Sequence, residues 1–470
     1  VLIRHSALYT LGKLLPGLLG MVATGLLTRL LDPAAYGLYG VALVVTTFGS
    51  TLVFDWLGLA YLRIAQRTHE AAIAGTVATI FAALVLLIAV VALAAWGAGL
   101  LDDPTGLAAA AGLLLMCCYA AFELASRLPV ARGQPGRYLM MNAGRGVLSL
   151  AGATGAAWLT RDPAWTVCGT ALGSVGGVLL GGQRPGWPRF SPMLARQIAV
   201  FGLPLACSMA LASVANSGVR GLLEALDSTE ALGLYTAAFL LVQNTLAVVA
   251  AGIASAGYSV AVRLLETGNE AASRRQVAAN WSLLLVVMAP MAAGMALTAP
   301  QIAAILVGPR YVAGVSLLTP WLAGAGFFAG LRAHGLDHPF QLANRPGQLA
   351  LVTAVAAAVA VLLTLGLVPR WGPVGAAAAS LAAAVCSCAL AFVLGQRTWR
   401  VPVPIGTGLR VTVACVVMAL AVRAVPDSFV IRVGAGVASY ASACFALDVL
   451  GLRRRVLGRV WPRTVELARD

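Results

Sequence analysis

Runs of roughly 20 apolar residues, separated by gaps too short to fold alone, recur from one end of this 470-residue sequence to the other. A run of that length spans the hydrocarbon of a bilayer as an α-helix, and inside lipid every backbone N–H and C=O must find its partner within the segment. The fold is therefore expected to be all-α and polytopic. Composition agrees, at 60% hydrophobic and only 10% charged, where an average soluble domain carries about 25% charged residues.

Spans fall at about 8 to 31, 37 to 59, 73 to 96, 107 to 126, 139 to 159, 164 to 182, 198 to 219, 233 to 257, 278 to 299, 316 to 334, 348 to 367, 374 to 394, 406 to 424 and 429 to 450, fourteen in all. The formal charge of +15 sits in the gaps, where cations act as topology signals rather than as a nucleic-acid surface. With the N-terminus in the cytoplasm, seven of the 32 cations (Arg29, Arg161, Arg220, Arg310, Arg370, Arg423, Arg432) lie outside, leaving 32 − 7 = 25 on or near the inner side. The positive-inside rule thus predicts both termini in the cytoplasm. External gaps are acidic, with Asp32, Asp102, Asp103, Asp162, Glu224, Asp227, Glu230 and Asp427. The opening "VLIRHSALYTLGKLLPGLLG" has no cleavage pattern and reads as the first span. All eight cysteines fall inside apolar runs and read as small core residues.

The two halves repeat. "PGLLG…TRLLDPAAYGLY…LAYLRIA" is answered by "PLACS…VRGLLEALDSTEALGLY…YSVAVRLLE", which pairs Pro16 with Pro204, Arg29 with Arg220, Tyr39 with Tyr235 and Arg63 with Arg263. The offset grows from 188 to 191, 196 and 200 at these pairs, as small loop insertions would produce. Six spans separate the copies, and an even number makes the repeat parallel, implying two six-helix lobes around a central cavity. The expected units are 1–195, 196–395, and 396–470 with the last two spans and a basic cytoplasmic tail. No gap can hold a separate domain, which disfavours most enzymes.

Four strings carry a family resemblance: "LTRLLDPAAYGLYG", "FGLPLACSMALA", "APQIAAILVGPRYVAGVSLL" and "LVPRWGPVGAAAASLAAA", the last two being the most specific. They resemble the Wzx-type polysaccharide and oligosaccharide-lipid flippases of the multidrug/oligosaccharidyl-lipid/polysaccharide exporter superfamily. Arg310 departs from the pattern, where an acidic residue is common, and so does Val219, where aspartate is frequent. The resemblance implies translocation of a polyprenyl-pyrophosphate-linked oligosaccharide from the cytoplasmic to the external leaflet of a bacterial inner membrane, for cell-surface or exopolysaccharide biosynthesis. It implies alternating access, no cofactor, and a polysaccharide polymerase and glycosyltransferases as partners beside the membrane lipids.

A cation at a helix centre costs about 2.5 to 3.5 kcal/mol on insertion scales, so arginines kept inside spans need a reason. Arg29 and Arg220 sit at equivalent external ends of the first and seventh spans. Pairing with Asp32, or with Asp227 and Glu230, is a structural reason; two forked guanidinium groups receiving a pyrophosphate, in the cleft the resemblance implies, is a functional one. Lys13, the only lysine, either meets the pyrophosphate on the inner side or snorkels to headgroups. It lies about 160° from Arg29 around a straight helix, so the two share a cavity only if the helix bends at Pro16-Gly17. Arg145 and Arg332 near inner span ends are further cavity residues, while Arg410 reads as interfacial. Gln243 and Asn244, at mid-depth, suit sugar hydroxyls or interhelical hydrogen bonds.

Glu123 and Arg127, four apart, should form an ion pair. No carboxylate falls near mid-membrane in any span, which argues against an antiport resting on a central acid. His334 and His338, with Asp337 on another face, read as a solvated helix end rather than a metal site. The tail from Arg453 to Arg463 suits anionic headgroups. No catalytic residue is expected. A multidrug exporter of the same superfamily would need a mid-membrane acid for cationic drugs. A membrane glycosyltransferase or polymerase would have to use Asp102-Asp103, and an ATP-driven pump lacks a P-loop, since the only lysine reads Gly12-Lys13-Leu14.

Overall fold

The computed structural model describes residues 2–64, 70–181 and 190–453, and every regular element among them is helical. Arg67, Arg184, Arg189, the tail beyond Arg453 and the side chains of Lys13 and Arg63 lie outside the described residues. The helices start where the sequence supplies a short acceptor side chain and then a proline, whose missing N–H costs nothing in a first turn. Asp32 accepts from Ala35 N at 2.8 Å, Asp103 from Gly106 N at 3.1 Å and Asp162 from Ala164 N at 2.7 Å, each just before Pro33, Pro104 or Pro163. The acids that mark external gaps are thus also helix caps.

The first half runs α1 (Leu2–Leu30), α2 (Pro33–Val53), α3 (Asp55–Ile64), α4 (Glu70–Gly97), α5 (Pro104–Ala131), α6 (Pro135–Thr160) and α7 (Pro163–Leu180). The second runs α8 (Pro192–Ser213), α9 (Val219–Leu226), α10 (Thr229–Val242), α11 (Val248–Glu266), α12 (Glu270–Leu297), α13 (Ala299–Leu306), α14 (Val312–Leu331), α15 (His338–Leu342) and α16 (Pro346–Thr398). The chain closes with α17 (Ile405–Ala424) and α18 (Phe429–Ala446).

Ten helical stretches are long and apolar enough to cross a membrane: α2, α4, α5, α7, α10 with α11, α12, α14 with its flanking turns, α16, α17 and α18. They take in eleven of the fourteen expected spans, because α16 turns back at Gly372, which has φ +55°. Gly375 there packs directly on the Leu367 carbonyl eight residues earlier, a contact that a straight helix cannot make. The other three expected spans, over α1, α6 and α8–α9, are helical but are not among these stretches.

Within the first half, α1 packs on α6, α6 on α7, and α5 on both α2 and α7; within the second, α11 packs on α12, α12 on α14, and α14 on α16. The halves meet chiefly where α2 crosses α10. A Cβ built on Gly37 would overlap the Thr229 carbonyl, and one built on Gly233 would overlap the Pro33 carbonyl. These two contacts exchange under one offset, 37 + 196 = 233 and 33 + 196 = 229, so the repeat read from the sequence packs on itself reciprocally. Tyr36, Tyr311, Leu27, Leu223 and Tyr235, from both halves, are at most 2% exposed in the core beside this seam.

The last two helices pack on each other, and α17 leans on α12, where Tyr440 donates to the Val286 carbonyl at 2.7 Å. The linker that leads into them is pinned by Trp399, whose Nε1 donates to Glu270 at 2.7 Å and whose ring lies under Arg274. The described cysteines are all unpaired.

Candidate functional site

Between α10, α14 and α16 lies a pocket of about 100 Å³. Its polar lining is Tyr235, Gln243, Arg332, Ser380 and Ser387; its apolar lining includes Phe239. Two of the residues singled out in the sequence, Gln243 and Arg332, therefore share one cavity. A third adjoins it: Arg220 is 4% exposed, with its guanidinium carbon 4.8 Å from the Phe239 ring. Phe239 stacks on Tyr235, and Tyr235 is fixed by a 2.9 Å hydrogen bond to Ser380.

Arg220 donates to Ser217 Oγ at 3.3 Å and leaves its Nε without a partner. It makes no ion pair among the described residues, so Asp227 and Glu230 do not neutralise it. Ser228, rather than an acid, caps α10 there, accepting from Ala231 N. Arg29 has different company. It donates to the Gly25 carbonyl at 2.9 Å in its own helix and to the Ile305 carbonyl at 2.7 Å in the second half, while Asp32 is occupied as the α2 cap. The two arginines of the repeat are thus set in unlike surroundings, one held by carbonyls at the exposed end of α1, the other buried against an aromatic ring.

The remaining predicted residues lie apart from this pocket. Asn244, next to Gln243, packs on Gly20 of α1. Arg145 is held in the first half, its guanidinium carbon 4.6 Å from the Phe122 ring and 5.2 Å from that of Tyr119. The Glu123–Arg127 pair forms at 3.5 Å, and Arg410 donates to the Asp448 carbonyl at an exposed position.

Sequence reasoning missed the burial of Asp337. The gap after span ten is helical, and it holds Asp337 at 6% and His338 at 5% exposed, so the reading of a solvated helix end is corrected. Asp337 Oδ2 lies 4.0 Å from Arg332 Nε, and the His338 and Tyr258 rings meet at a tilt of 33° with centroids 4.6 Å apart. Among the described residues no group of three metal-ligating side chains gathers. Also unforeseen are three π-helical turns, Val214–Gly218, Gln243–Ala247 and Arg332–Leu336. Such wide turns cluster at functional positions. Here they contain Gln243, Asn244 and Arg332 and end two residues before Arg220, so the local backbone irregularity and the cavity candidates coincide.

Residues 26–316, more than half of the chain, match the family described as "Polysaccharide biosynthesis protein". The chain belongs to that family. No curated protein sequence matches it. Among solved structures it is similar to the lipid II flippase MurJ in its inward closed conformation, with a TM-score of 0.78 at 12% identity, covering 96% of this chain and 100% of that one. It is also similar to an inward-facing multidrug-resistance MATE transporter, with a TM-score of 0.55 at 14% identity over 83% of this chain and 94% of that one, and to an outward-facing one at the same score and identity. The family therefore has here an all-helical membrane fold of the kind used by flippases and exporters. Asp103 of the Asp102-Asp103 pair caps α5.

Proposed function

We propose that this protein flips a polyprenyl-pyrophosphate-linked oligosaccharide from the cytoplasmic to the external leaflet of a bacterial plasma membrane, with both termini cytoplasmic. Residues 1–195 and 196–395 act as the two moving lobes, and 396–470 is appended to the second. Membership of a polysaccharide biosynthesis family supports the substrate class, and the flippase-like fold supports transport. The observation that carries the reading is the character of the second-half cavity: a cation, Arg332, and neutral hydrogen-bonding groups line it, with a second cation, Arg220, against its aromatic wall. Such a lining suits phosphate charge and sugar hydroxyls, and it repels cationic drugs.

Asp337 is the buried acid that a multidrug exporter would need, but Arg332 faces it and Asp337 does not line the pocket. Expelling two phosphate charges from a negative interior gains about 4.6 kcal/mol per 100 mV, twice the roughly 2.3 kcal/mol per elementary charge. The deciding experiment is deletion of the gene followed by identification of the lipid-linked oligosaccharide that accumulates on the inner leaflet. Accumulation supports the reading; its absence, together with efflux of a cationic dye by the purified protein in vesicles, moves the assignment to an exporter.

A further inference from the structure

The string "ILVGPRY" at 305–311 forms a clasp with the end of α1. Gly308 N donates to Thr28 Oγ1 at 3.0 Å, Tyr311 OH donates to the Leu31 carbonyl at 3.0 Å, and a Cβ on Gly308 would overlap the Thr28 carbonyl. In return, a Cβ on Gly25 would lie 2.6 Å from the Leu306 carbonyl. The junction brings together the C-terminal ends of two helices, α1 and α13, each exposing carbonyls that have no intrahelical amide. Each end carries about half a negative charge, so the two ends repel. The Arg29 guanidinium lies between them, donating to the Gly25 carbonyl one turn inside α1 and to the Ile305 carbonyl in the last turn of α13.

We propose that Arg29 is an anion-released clasp, so that the group that binds the substrate's diphosphate is also the group that seals this end of the bundle. The proposal rests on the transport reading above. A diphosphate offers full negative charges where the carbonyls offer only partial ones, and its oxygens can take two parallel hydrogen bonds from one guanidinium. When Arg29 turns to it, the α1 and α13 ends lose the guanidinium that joins them, and the Gly308 and Tyr311 hydrogen bonds, with Arg310 of the same string, are left to hold two like-signed ends together. Binding the anion thereby loosens the seal through which it has to leave. Arg220, equivalent in sequence but buried on Phe239, keeps no such contact, so the release acts on one lobe's end only.

Hydrogen–deuterium exchange of the purified full chain in nanodiscs, read on the peptide carrying Gly308 to Tyr311, tests this with inorganic pyrophosphate as the probe. In the wild type, saturating pyrophosphate should raise exchange there by about ten- to a hundredfold, the effect of losing one charge-assisted hydrogen bond. Arg29→Gln should exchange fast from the start and ignore pyrophosphate. Thr28→Val, which removes the Gly308 acceptor but keeps the cation, should raise the baseline and still respond. Peptides of α17 and α18, unchanged throughout, establish that each variant is folded. Slow exchange in Arg29→Gln, or a wild type indifferent to pyrophosphate while vesicles still flip the lipid-linked oligosaccharide, overturns the clasp and leaves the transport reading standing. An exchange response without any flipping does the reverse.

Discussion

Arg220 is the sharpest place to separate function from architecture, because replacing it by methionine should leave the protein as stable as before and yet inactive. The arginine is buried, six residues from the end of α9, with no carboxylate partner among the described residues. The lower end of the insertion scale sets its cost at about 2.5 kcal/mol. Against that stand a cation–π contact with Phe239, worth about 2 kcal/mol in a desolvated site, and a long hydrogen bond to Ser217, worth about 0.5 kcal/mol. The two sides cancel, so Arg220→Met, which fills a similar volume without charge, should change stability by less than about 1 kcal/mol. Thermal unfolding of the detergent-purified variant should therefore stay within about 2 °C of the wild type. Flipping of a polyprenyl-pyrophosphate oligosaccharide in vesicles should fall by at least about tenfold, as expected when one charge-assisted contact to the substrate is lost. A lowered unfolding temperature with transport retained would refute the reasoning and make Arg220 a structural residue.

Other outcomes follow from the same geometry. Gly37→Ala and Gly233→Ala should each destabilise the α2–α10 seam by about 1 to 3 kcal/mol, yet the double variant should cost little more than either one, because both push the same two backbones apart; additive melting shifts would count against the reciprocal packing. Arg332→Gln strands a buried carboxylate and should cost about 3 kcal/mol, and adding Asp337→Asn should restore most of it in the same melting assay. Collapsing the membrane potential in vesicles should slow flipping more than collapsing the pH gradient; the opposite order would rule out a field-driven step. Trp399→Ala should loosen α17 relative to α12, read as faster amide exchange at 405–412, with the α2–α10 seam unaffected.

Much of the fold was legible because lipid imposes one rule on every span. Helices α4, α5, α17 and α18 are apolar enough to be read directly, whereas α1, α6 and α8–α9 are diluted by Pro16, by Asn142 and Arg145, and by Ser213, Ser217 and Arg220. The repeat was legible too, but its growing offset was assigned to loops. Two of its three steps fall inside helices: from Pro16/Pro204 to Arg29/Arg220, and from Tyr39/Tyr235 to Arg63/Arg263. In the second half those stretches contain the π-helical turns Val214–Gly218 and Gln243–Ala247, each of which takes up about one of the extra residues without breaking the helix. Residue type alone could rank Arg29 and Arg220 as a matched pair; it could not show that a carbonyl-lined junction takes one and an aromatic ring the other. The burial of Asp337 escaped notice because His338-Pro339 and Asn344-Arg345-Pro346 look like a loop, although the first proline opens α15 and the second opens α16.

The wide turns have a consequence for how this protein is probed. When a helix spaces its hydrogen bonds one residue further apart for a single turn, the count of acceptors there exceeds the count of amides able to reach them. Three such turns in the second half lie beside Arg220, Gln243 and Arg332, so a main-chain oxygen passed over by the helical ladder is expected near each. No side-chain substitution deletes these oxygens, so alanine scanning will undercount the polar groups of that half, and amide-to-ester replacement is the chemistry that can find the rest.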